Sequence, residues 1–361
     1  GLGVFFLILL SPNPESLSPI GWAVAGVTLL MAIWWATEAV PVAVTALLPL
    51  ALFPMLHVTD FKTAALPYAN PNIYLFMGGF ILALGIESSG LHKRLALKML
   101  IAIGNSGAKL VGGFMLVSAL ISMWVMNTST TLMLLPIGLA VCASVAETIP
   151  NFSSKERKNF ETSLLLGIAY AASIGGMSTL VGTAPNIIFV GFMQETYGTE
   201  ISFVDWMKLG VPIASIMLFA SWYAITKIVY PVHFVASMET KLQLQNMLSD
   251  LGVLGKDEKK VLIIFSLAAS AWMFRTLLDN FVPLSGLTDA GIAIFAALSF
   301  FFIPSENNKT DLLTWEQANK LPWGLLVLFG GGLSLAASIG SSGLGDWIGQ
   351  GLTVLGNVPP I

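Results

Sequence analysis

Charged side chains are scarce in this sequence of 361 residues, because Asp, Glu, Lys and Arg together make up only 10% of it. A typical soluble domain carries about 25%. A soluble chain of this length could not cover its surface with so few charges. A cytosolic enzyme, a nucleic-acid-binding protein and a disordered chain are therefore excluded, and no nucleic-acid partner is expected.

Cysteine and histidine are also rare, with one cysteine, Cys142, and three histidines. A single cysteine excludes a disulfide framework and a cysteine-based metal site. The sequence shows no pairing of a nucleophile with a base and no cluster of metal ligands. It is therefore not expected to be an enzyme.

Apolar residues are abundant instead, at 55% of the chain, and the mean hydropathy is +0.81. They form continuous runs, whereas the strands of a membrane β-barrel alternate apolar and polar residues. A membrane-spanning helix needs about 20 apolar residues, and several runs reach that length. The sequence predicts an all-α polytopic membrane protein with lipid around most of its surface.

Two apolar segments, residues 72–90 and 323–343, are short, rich in glycine and bounded by polar turns. Segments of this kind favour re-entrant hairpins, which are stable at membrane depth only inside protein or beside a cavity. Both are therefore predicted to be hairpins.

These two segments also carry an internal repeat. The stretches 76–91 and 329–344 are identical at 10 of 16 positions, at an offset of 253 residues. The identities include a Gly-Gly pair and the block Ser-Ser-Gly-Leu. Chance similarity between apolar segments usually matches Leu, Ala and Ile instead. Internal two-fold repeats with broken elements are typical of secondary transporters, although channels and scramblases also contain repeats.

A run of five amide and hydroxyl side chains, residues 127–131, interrupts the apolar stretch 110–147. One interpretation is structural, with these side chains bonded to nearby carbonyls and to a neighbouring helix. The functional interpretation is a helix broken at Asn127-Thr128, whose second half begins at Ser129 or Thr130 as N-cap. Its free N–H groups would suit an anion, and the carbonyls ending the first half would suit sodium.

A second polar stretch, residues 172–186, combines three glycines, a proline, an asparagine and hydroxyl side chains. It is either a polar turn at the membrane edge or an unwound segment that faces the first break. The residues expected to shape the unwound segment are Gly176, Thr183, Pro185 and Asn186.

Neither polar stretch contains an acidic or basic residue or a histidine. Proton-coupled transporters usually carry such residues, so amides, hydroxyls and carbonyls favour Na⁺ as the coupling ion.

Arg275 and Asp279, spaced four apart, are predicted to pair on one helix face. The tryptophans, including those at 124, 206 and 222, are interpreted as interfacial or packing residues.

The Gly-rich repeat, the Asn127-Thr128 pair and the block from Gly182 to Asn186 resemble the divalent-anion/sodium symporter family over the whole chain. The chain looks close to the bacterial dicarboxylate transporters of that family. The family's Ser-Asn-Thr signature reads Met126-Asn127-Thr128 here, so only the backbone of Met126 could take the role of the serine.

The resemblance implies a symporter of the bacterial inner membrane that imports sodium with a C4-dicarboxylate such as succinate, malate or fumarate, or with citrate. It implies a sodium site formed by Ser122, Met126, Asn127 and Gly175, and contacts of Asn127 and Thr128 with a substrate carboxylate. Sodium-independent exchange by the same fold, and a channel or scramblase, remain alternatives.

The resemblance also implies inverted repeats, a homodimer and an elevator motion of a transport domain against a scaffold. The predicted scaffold comprises residues 1–60 and 196–310. The predicted transport domain comprises residues 61–195 and 311–361. At the repeat offset, the counterpart of Asn127 falls near position 380, after Ile361. The second repeat is therefore expected to continue beyond this sequence, with a second polar break.

Overall fold

A computed structural model describes residues 1–102, 106–149, 152–235, 238–278, 286–306 and 310–353. The regular elements in these ranges are helices, and two isolated bridges join extended residues. Five helical stretches among the described residues are long and apolar enough to cross a membrane: Pro19–Thr37, Phe61–Ser88, Asn127–Thr148, Phe203–Val229 and Trp323–Ser341. The predicted all-α polytopic fold is confirmed.

The α-helices follow one another along the chain. In chain order they are α1 (Leu2–Leu10), α2 (Pro19–Thr37), α3 (Val42–Thr45), α4 (Leu48–Met55), α5 (Phe61–Ala65), α6 (Pro71–Ser88), α7 (Leu91–Ile101), α8 (Gly107–Ser122), α9 (Asn127–Thr148), α10 (Ser154–Gly176), α11 (Ala184–Tyr197), α12 (Phe203–Tyr223), α13 (Met238–Asp250), α14 (Lys256–Leu278), α15 (Asp289–Ser299), α16 (Trp315–Ala318), α17 (Trp323–Ser341) and α18 (Leu344–Thr353). A 3₁₀ turn precedes α6 over Leu66–Ala69, and α12 continues as a π-helix over Ala224–Val229.

Hydroxyl side chains fix where several helices begin. Ser106 caps α8 and Ser202 caps α12, each by accepting a hydrogen bond from the N–H three residues on. Ser153 and Glu156 form a capping box at the start of α10. Such caps satisfy N–H groups that have no partner inside the helix, and each contributes about 1 kcal/mol.

The chain divides by contacts into two compact units. Unit 1 contains Gly1–Tyr74, Ile187–Ile201 and Pro322–Ile361, and unit 2 contains Leu75–Asn186 and Ser202–Leu321. Both polar stretches that were predicted to form the site belong to unit 2. The functional division into scaffold and transport domains is not tested by this grouping and stays a prediction.

The prediction of re-entrant hairpins within 72–90 and 323–343 is wrong. Each segment is one continuous helix, α6 or α17, up to the first serine of the Ser-Ser-Gly block, where the helix ends. The glycine of that block, Gly90 or Gly343, has φ +76° and precedes the next helix. The repeat is therefore a long helix, a left-handed glycine and a shorter helix.

The first glycine of each pair, Gly78 or Gly331, is a packing position inside its helix. In unit 2, a Cβ atom at Gly78 of α6 would lie 2.7 Å from the Cβ of Ala293 on α15. In unit 1, a Cβ atom at Gly331 of α17 would lie 2.7 Å from the Cα of Ala46, directly after α3. The matched glycine of each copy thus packs against a helical segment that precedes the other copy.

A similar capped short helix stands upstream of each copy, at an offset of 254 residues, one more than in the matched stretch. Asp60 caps α5 and Thr314 caps α16, and an exposed aromatic residue, Phe61 or Trp315, follows each cap. The two copies share no residue at either position, so identity alone does not reveal this similarity.

The stretch 110–147 is a helical hairpin and not one broken helix, which corrects a second prediction. A Cβ atom at Gly138 of α9 would lie 4.0 Å from Phe114 of α8. In a continuous helix these positions would be about 36 Å apart, at 1.5 Å per residue. The arms α8 and α9 are therefore antiparallel, and residues 123–126 form the tip.

The second polar stretch is unwound over a shorter range than predicted. Helix α10 continues to Gly176 and α11 begins at Ala184, so residues 177–183 form the non-helical segment. Pro185 is the second residue of α11, where a helix needs no N–H donor.

Candidate functional site

The hairpin tip places two predicted sodium ligands in direct contact. The hydroxyl of Ser122, at the end of α8, donates a hydrogen bond of 2.6 Å to Oδ1 of Asn127, at the start of α9. Ser122 is fully buried and Asn127 is half-buried. The four-residue tip brings these side chains together because it reverses the chain between them.

The end of α10 forms the opposite wall. A Cβ atom at Gly176 would lie 2.6 Å from Oδ1 of Asn127, so the amide oxygen lies directly against the backbone. A Cβ atom at Gly175 would lie 2.6 Å from the carbonyl carbon of Ala119. Glycine at these two positions allows α10 to approach both α8 and the amide of Asn127.

The backbone carbonyls of two predicted sodium ligands have known hydrogen-bond partners. The carbonyl of Met126 accepts the N–H of Thr130, and the carbonyl of Gly175 accepts the N–H of Ser178. The Gly175 carbonyl also accepts the N–H of Met177. A carbonyl oxygen has two lone pairs, so the Met126 carbonyl retains one for an ion. The structure thus gathers Ser122, Asn127 and the glycine pair, and it leaves the backbone of Met126 as a possible donor of one oxygen.

The unwound segment is attached to the hairpin and to itself. The hydroxyl of Thr179 donates a hydrogen bond to the carbonyl of Met123 in the tip. The amide of Asn186 donates to the carbonyls of Gly176, at 2.9 Å, and of Thr179, at 2.7 Å. Asn186 is buried, which fits its predicted supporting role.

Thr183 and Pro185 lie at the far end of this segment. The carbonyl of Thr183 accepts the N–H of Asn186, at 3.3 Å, and its side chain is half-buried. Pro185 is exposed. Both residues lie at the entry into α11, and their supporting role at an ion site stays a prediction.

Helix α9 begins earlier than the sequence predicted. It starts at Asn127 after an extended Met126 that gives no side-chain cap, so neither Ser129 nor Thr130 is the N-cap. Its first N–H groups have no intrahelical partner by helix geometry. Thr128 is exposed within this turn, which places a hydroxyl and an uncapped helix N-terminus together. This arrangement suits a carboxylate.

Thr130 is a feature of the site that the sequence prediction did not assign. Its hydroxyl is buried, at 1% exposure of the residue, and has no hydrogen-bond partner among the described residues. A buried hydroxyl without a partner costs about 1–3 kcal/mol. The sequence signal for Thr130 was its position in the polar run, but the run does not show which hydroxyl lacks a partner.

The donor atoms of the site are neutral oxygens. The described residues contain no group of three or more His, Cys, Asp or Glu side chains that could hold a metal ion. Amide, hydroxyl and carbonyl oxygens at unwound or terminal helix positions are the ligands by which membrane transporters bind Na⁺.

Comparisons with known proteins match nearly the whole chain. Residues 2–358 match the family described as the sodium:sulfate symporter transmembrane region. The sodium-dependent dicarboxylate transporter SdcS of Staphylococcus saprophyticus is 41% identical over 366 residues, which cover 99% of this chain and 70% of that protein. The protein of the same name from Staphylococcus aureus strain USA300 is 39% identical over 362 residues, with the same shares covered.

Proposed function

Because this chain belongs to the sodium:sulfate symporter family, we propose that it couples the entry of sodium to the import of a C4-dicarboxylate. The family predicted from the repeat and the two polar motifs is confirmed. Its members are transporters and not enzymes, and the chain is a multi-pass membrane protein. Succinate, malate or fumarate is the proposed substrate, with citrate as a further candidate, because two relatives are named dicarboxylate transporters.

The contact between Ser122 and Asn127 supports the sodium coupling. Their two oxygens are 2.6 Å apart, beside Gly176 and without a charged ligand. A cation held by both oxygens requires the hydroxyl proton of Ser122 to turn away from Asn127. Sodium binding therefore changes the hydrogen bonding of the tip itself, where α9 begins.

The uncapped start of α9 supports an anionic substrate. Asn127 and Thr128 belong to its first turn, so a carboxylate bound there would receive helix N–H groups and the hydroxyl of Thr128. The sodium ion on the other side of Asn127 would also attract the carboxylate through its positive charge. Ion and carboxylate share one residue, which links their binding free energies.

The transport cycle proposed here is an elevator-type movement within a homodimer in the bacterial inner membrane. The support is the resemblance to the symporter family and the bacterial origin of the relatives. Sodium ions, the dicarboxylate, membrane lipid and a second copy of the chain are the proposed partners.

Uptake of radiolabelled succinate into proteoliposomes tests this function. An inward sodium gradient should give saturable uptake, and potassium in place of sodium should abolish it. Unlabelled malate, fumarate, citrate and sulfate, added as competitors, rank the substrates. Robust uptake in sodium-free buffer with a proton gradient would contradict the proposal.

Two further outcomes identify the alternatives. Uptake that needs an internal dicarboxylate but no sodium indicates an exchanger. Uptake that does not saturate with succinate indicates a channel.

A further inference from the structure

The first two turns of α12 lie against both walls of the candidate sodium site. Phe203, Trp206 and Gly210 recur at spacings of three and four, so they share one face of the helix. The prediction treated Trp206 and Trp124 as packing or interfacial residues, and neither was assigned to the site.

Trp206 holds the wall formed by the end of α10. Its indole N–H donates a hydrogen bond of 2.9 Å to the carbonyl of Met177, the residue directly after Gly176. A Cβ atom at Gly210 would lie 2.8 Å from the same carbonyl oxygen. Helix α12 therefore fixes the first peptide group of the unwound segment.

Phe203 holds the hairpin tip. Its ring stacks on Trp124 of the tip, with centroids 5.8 Å apart, and on Trp272 of α14, with centroids 4.7 Å apart. Trp124 also stacks on Trp272, at 6.2 Å. Three nearly parallel rings thus connect the tip to α12 and α14.

The start of α12 is itself anchored at Asp289. The N–H of Phe203 donates a hydrogen bond of 2.9 Å to the carboxylate of Asp289, and the indole of Trp272 donates to the Asp289 carbonyl at 3.0 Å. Arg275 lies 3.4 Å from the same carboxylate. Its predicted partner, Asp279, lies outside the described residues.

We propose that Trp206 is a positioning residue for sodium, which rests on the sodium-coupled function proposed above. It does not touch the ion; it orients the peptide that follows Gly175 and Gly176. Without the indole N–H, the Met177 carbonyl loses its partner and the glycine wall can rotate away from Asn127. The expected effect is weaker sodium binding, while the substrate contacts at Thr128 stay in place.

Trp206→Phe tests this role, because it removes the N–H and retains an aromatic ring. The matched control is Trp222→Phe on the same helix, because the indole of Trp222 donates an equivalent hydrogen bond of 2.8 Å to the carbonyl of Ala108 at the other end of α8. The readout is the sodium concentration that gives half-maximal succinate uptake. Trp206→Phe should raise it about two- to ten-fold, and Trp222→Phe should leave it unchanged.

A second readout separates positioning from general destabilisation. At saturating sodium, the half-saturating succinate concentration of Trp206→Phe should equal that of the wild type. Trp206→His, which keeps a ring N–H, should restore part of the sodium affinity and serves as the test if the Phe variant does not fold. Equal sodium curves for the variants at 206 and 222 would overturn the proposal. A wild type without sodium dependence would instead overturn the proposed function.

Discussion

The hydroxyl oxygen of Ser122 and the amide oxygen of Asn127 lie 2.6 Å apart, so the last residue of α8 is bonded directly to the first residue of α9. The hydrogen bond closes the four-residue tip. Asn127 also lies against Gly176, and the tip is bonded to the unwound segment through Thr179. A change at Asn127 should therefore affect ion and substrate together.

Asn127→Ala should abolish measurable transport while the protein still folds, because the side chain is only half-buried. Losing one charge-assisted interaction costs about 1.5–3 kcal/mol, or roughly ten- to a hundred-fold in affinity. Succinate uptake and its dependence on sodium measure the effect. Asn159→Ala is the control, because Asn159 donates to the carbonyl of Pro231, at 3.4 Å, away from the tip. Unchanged affinities in Asn127→Ala would show that Asn127 only packs.

Gly175→Ala should destabilise the protein, because the added Cβ would lie 2.6 Å from the carbonyl carbon of Ala119, and backbone atoms cannot move aside easily. The cost of such overpacking is typically about 1–3 kcal/mol. Gly332→Ala in α17 is the control, since nothing lies within 4 Å of its added Cβ. Thermal unfolding in detergent should show a lower midpoint for the first variant only. Similar midpoints would contradict the close approach of α8 and α10.

Arg94→Gln should lower stability by about 3–5 kcal/mol, since it leaves a buried carboxylate without its partner. Arg94 donates to both carboxylate oxygens of Glu258, at 2.8 and 3.0 Å, and to carbonyls of the connection after α13, including that of Gly252. The side chains of Arg94 and Glu258 are 6% and 11% exposed. Arg157→Gln, which breaks the exposed pair with Glu161, should change the unfolding midpoint far less.

The same ion pair should make stability depend on pH. Burial alone would raise the pKa of Glu258, but hydrogen bonds from Arg94 and Gly255 outweigh it and hold the pKa below its ordinary value. The stabilisation is therefore present above the unfolded pKa, about 4.3, and is lost as the pH falls through the lower folded value. Glu258→Gln should remove this pH-dependent stabilisation. The measurement is the unfolding midpoint of wild type and variant between neutral and acidic pH. An identical acid dependence in wild type and variant would contradict it.

Gly90→Ala and Gly343→Ala should destabilise the protein to a similar extent. Both glycines have φ +76°, and nothing lies within 4 Å of a Cβ atom added at either one. The cost is therefore backbone strain alone, about 1–2 kcal/mol. Gly340→Ala is the control, because that position also has open space but lies inside α17 with ordinary helical backbone. Clearly unequal losses at 90 and 343 would show that the two turns do not correspond.

The helical fold and the repeat could be predicted because each leaves a local pattern. Long apolar runs predict helices, and matched Gly and Ser residues predict the repeat. Asn127 and Ser122 were identified from the resemblance and lie in contact in the structure. Their roles in ion binding stay predictions.

The two errors about where the chain reverses, in the Gly-rich segments and in residues 110–147, have physical causes. A chain reversal and a break within one helix both require a few polar or flexible residues between apolar runs. The polar run 127–131 is compatible with both, but the turn itself lies in the apolar residues 123–126, which give no turn signal in the sequence. The approach of Gly138 to Phe114 distinguishes the two folds. Gly78 and Gly331 look like helix breakers in sequence but are sites of close packing, which depends on a partner far away in the chain.

The proposed role of Trp206 could not be predicted either, because it depends on a contact with another segment of the chain. A tryptophan at the start of an apolar helix matches the composition of a membrane interface. Its hydrogen bond to Met177 depends on the path of the unwound segment, which no spacing in the sequence reveals.

The packing of Gly331 against Ala46 has a consequence for biosynthesis. The two residues are 285 positions apart in the chain, yet they lie in one compact unit. At a synthesis rate of roughly 5–20 residues per second, the surface around Ala46 waits about 15–60 s before its partner leaves the ribosome. During this interval the first helices must persist without the contact that α17 later provides, so unit 1 is completed only late in synthesis.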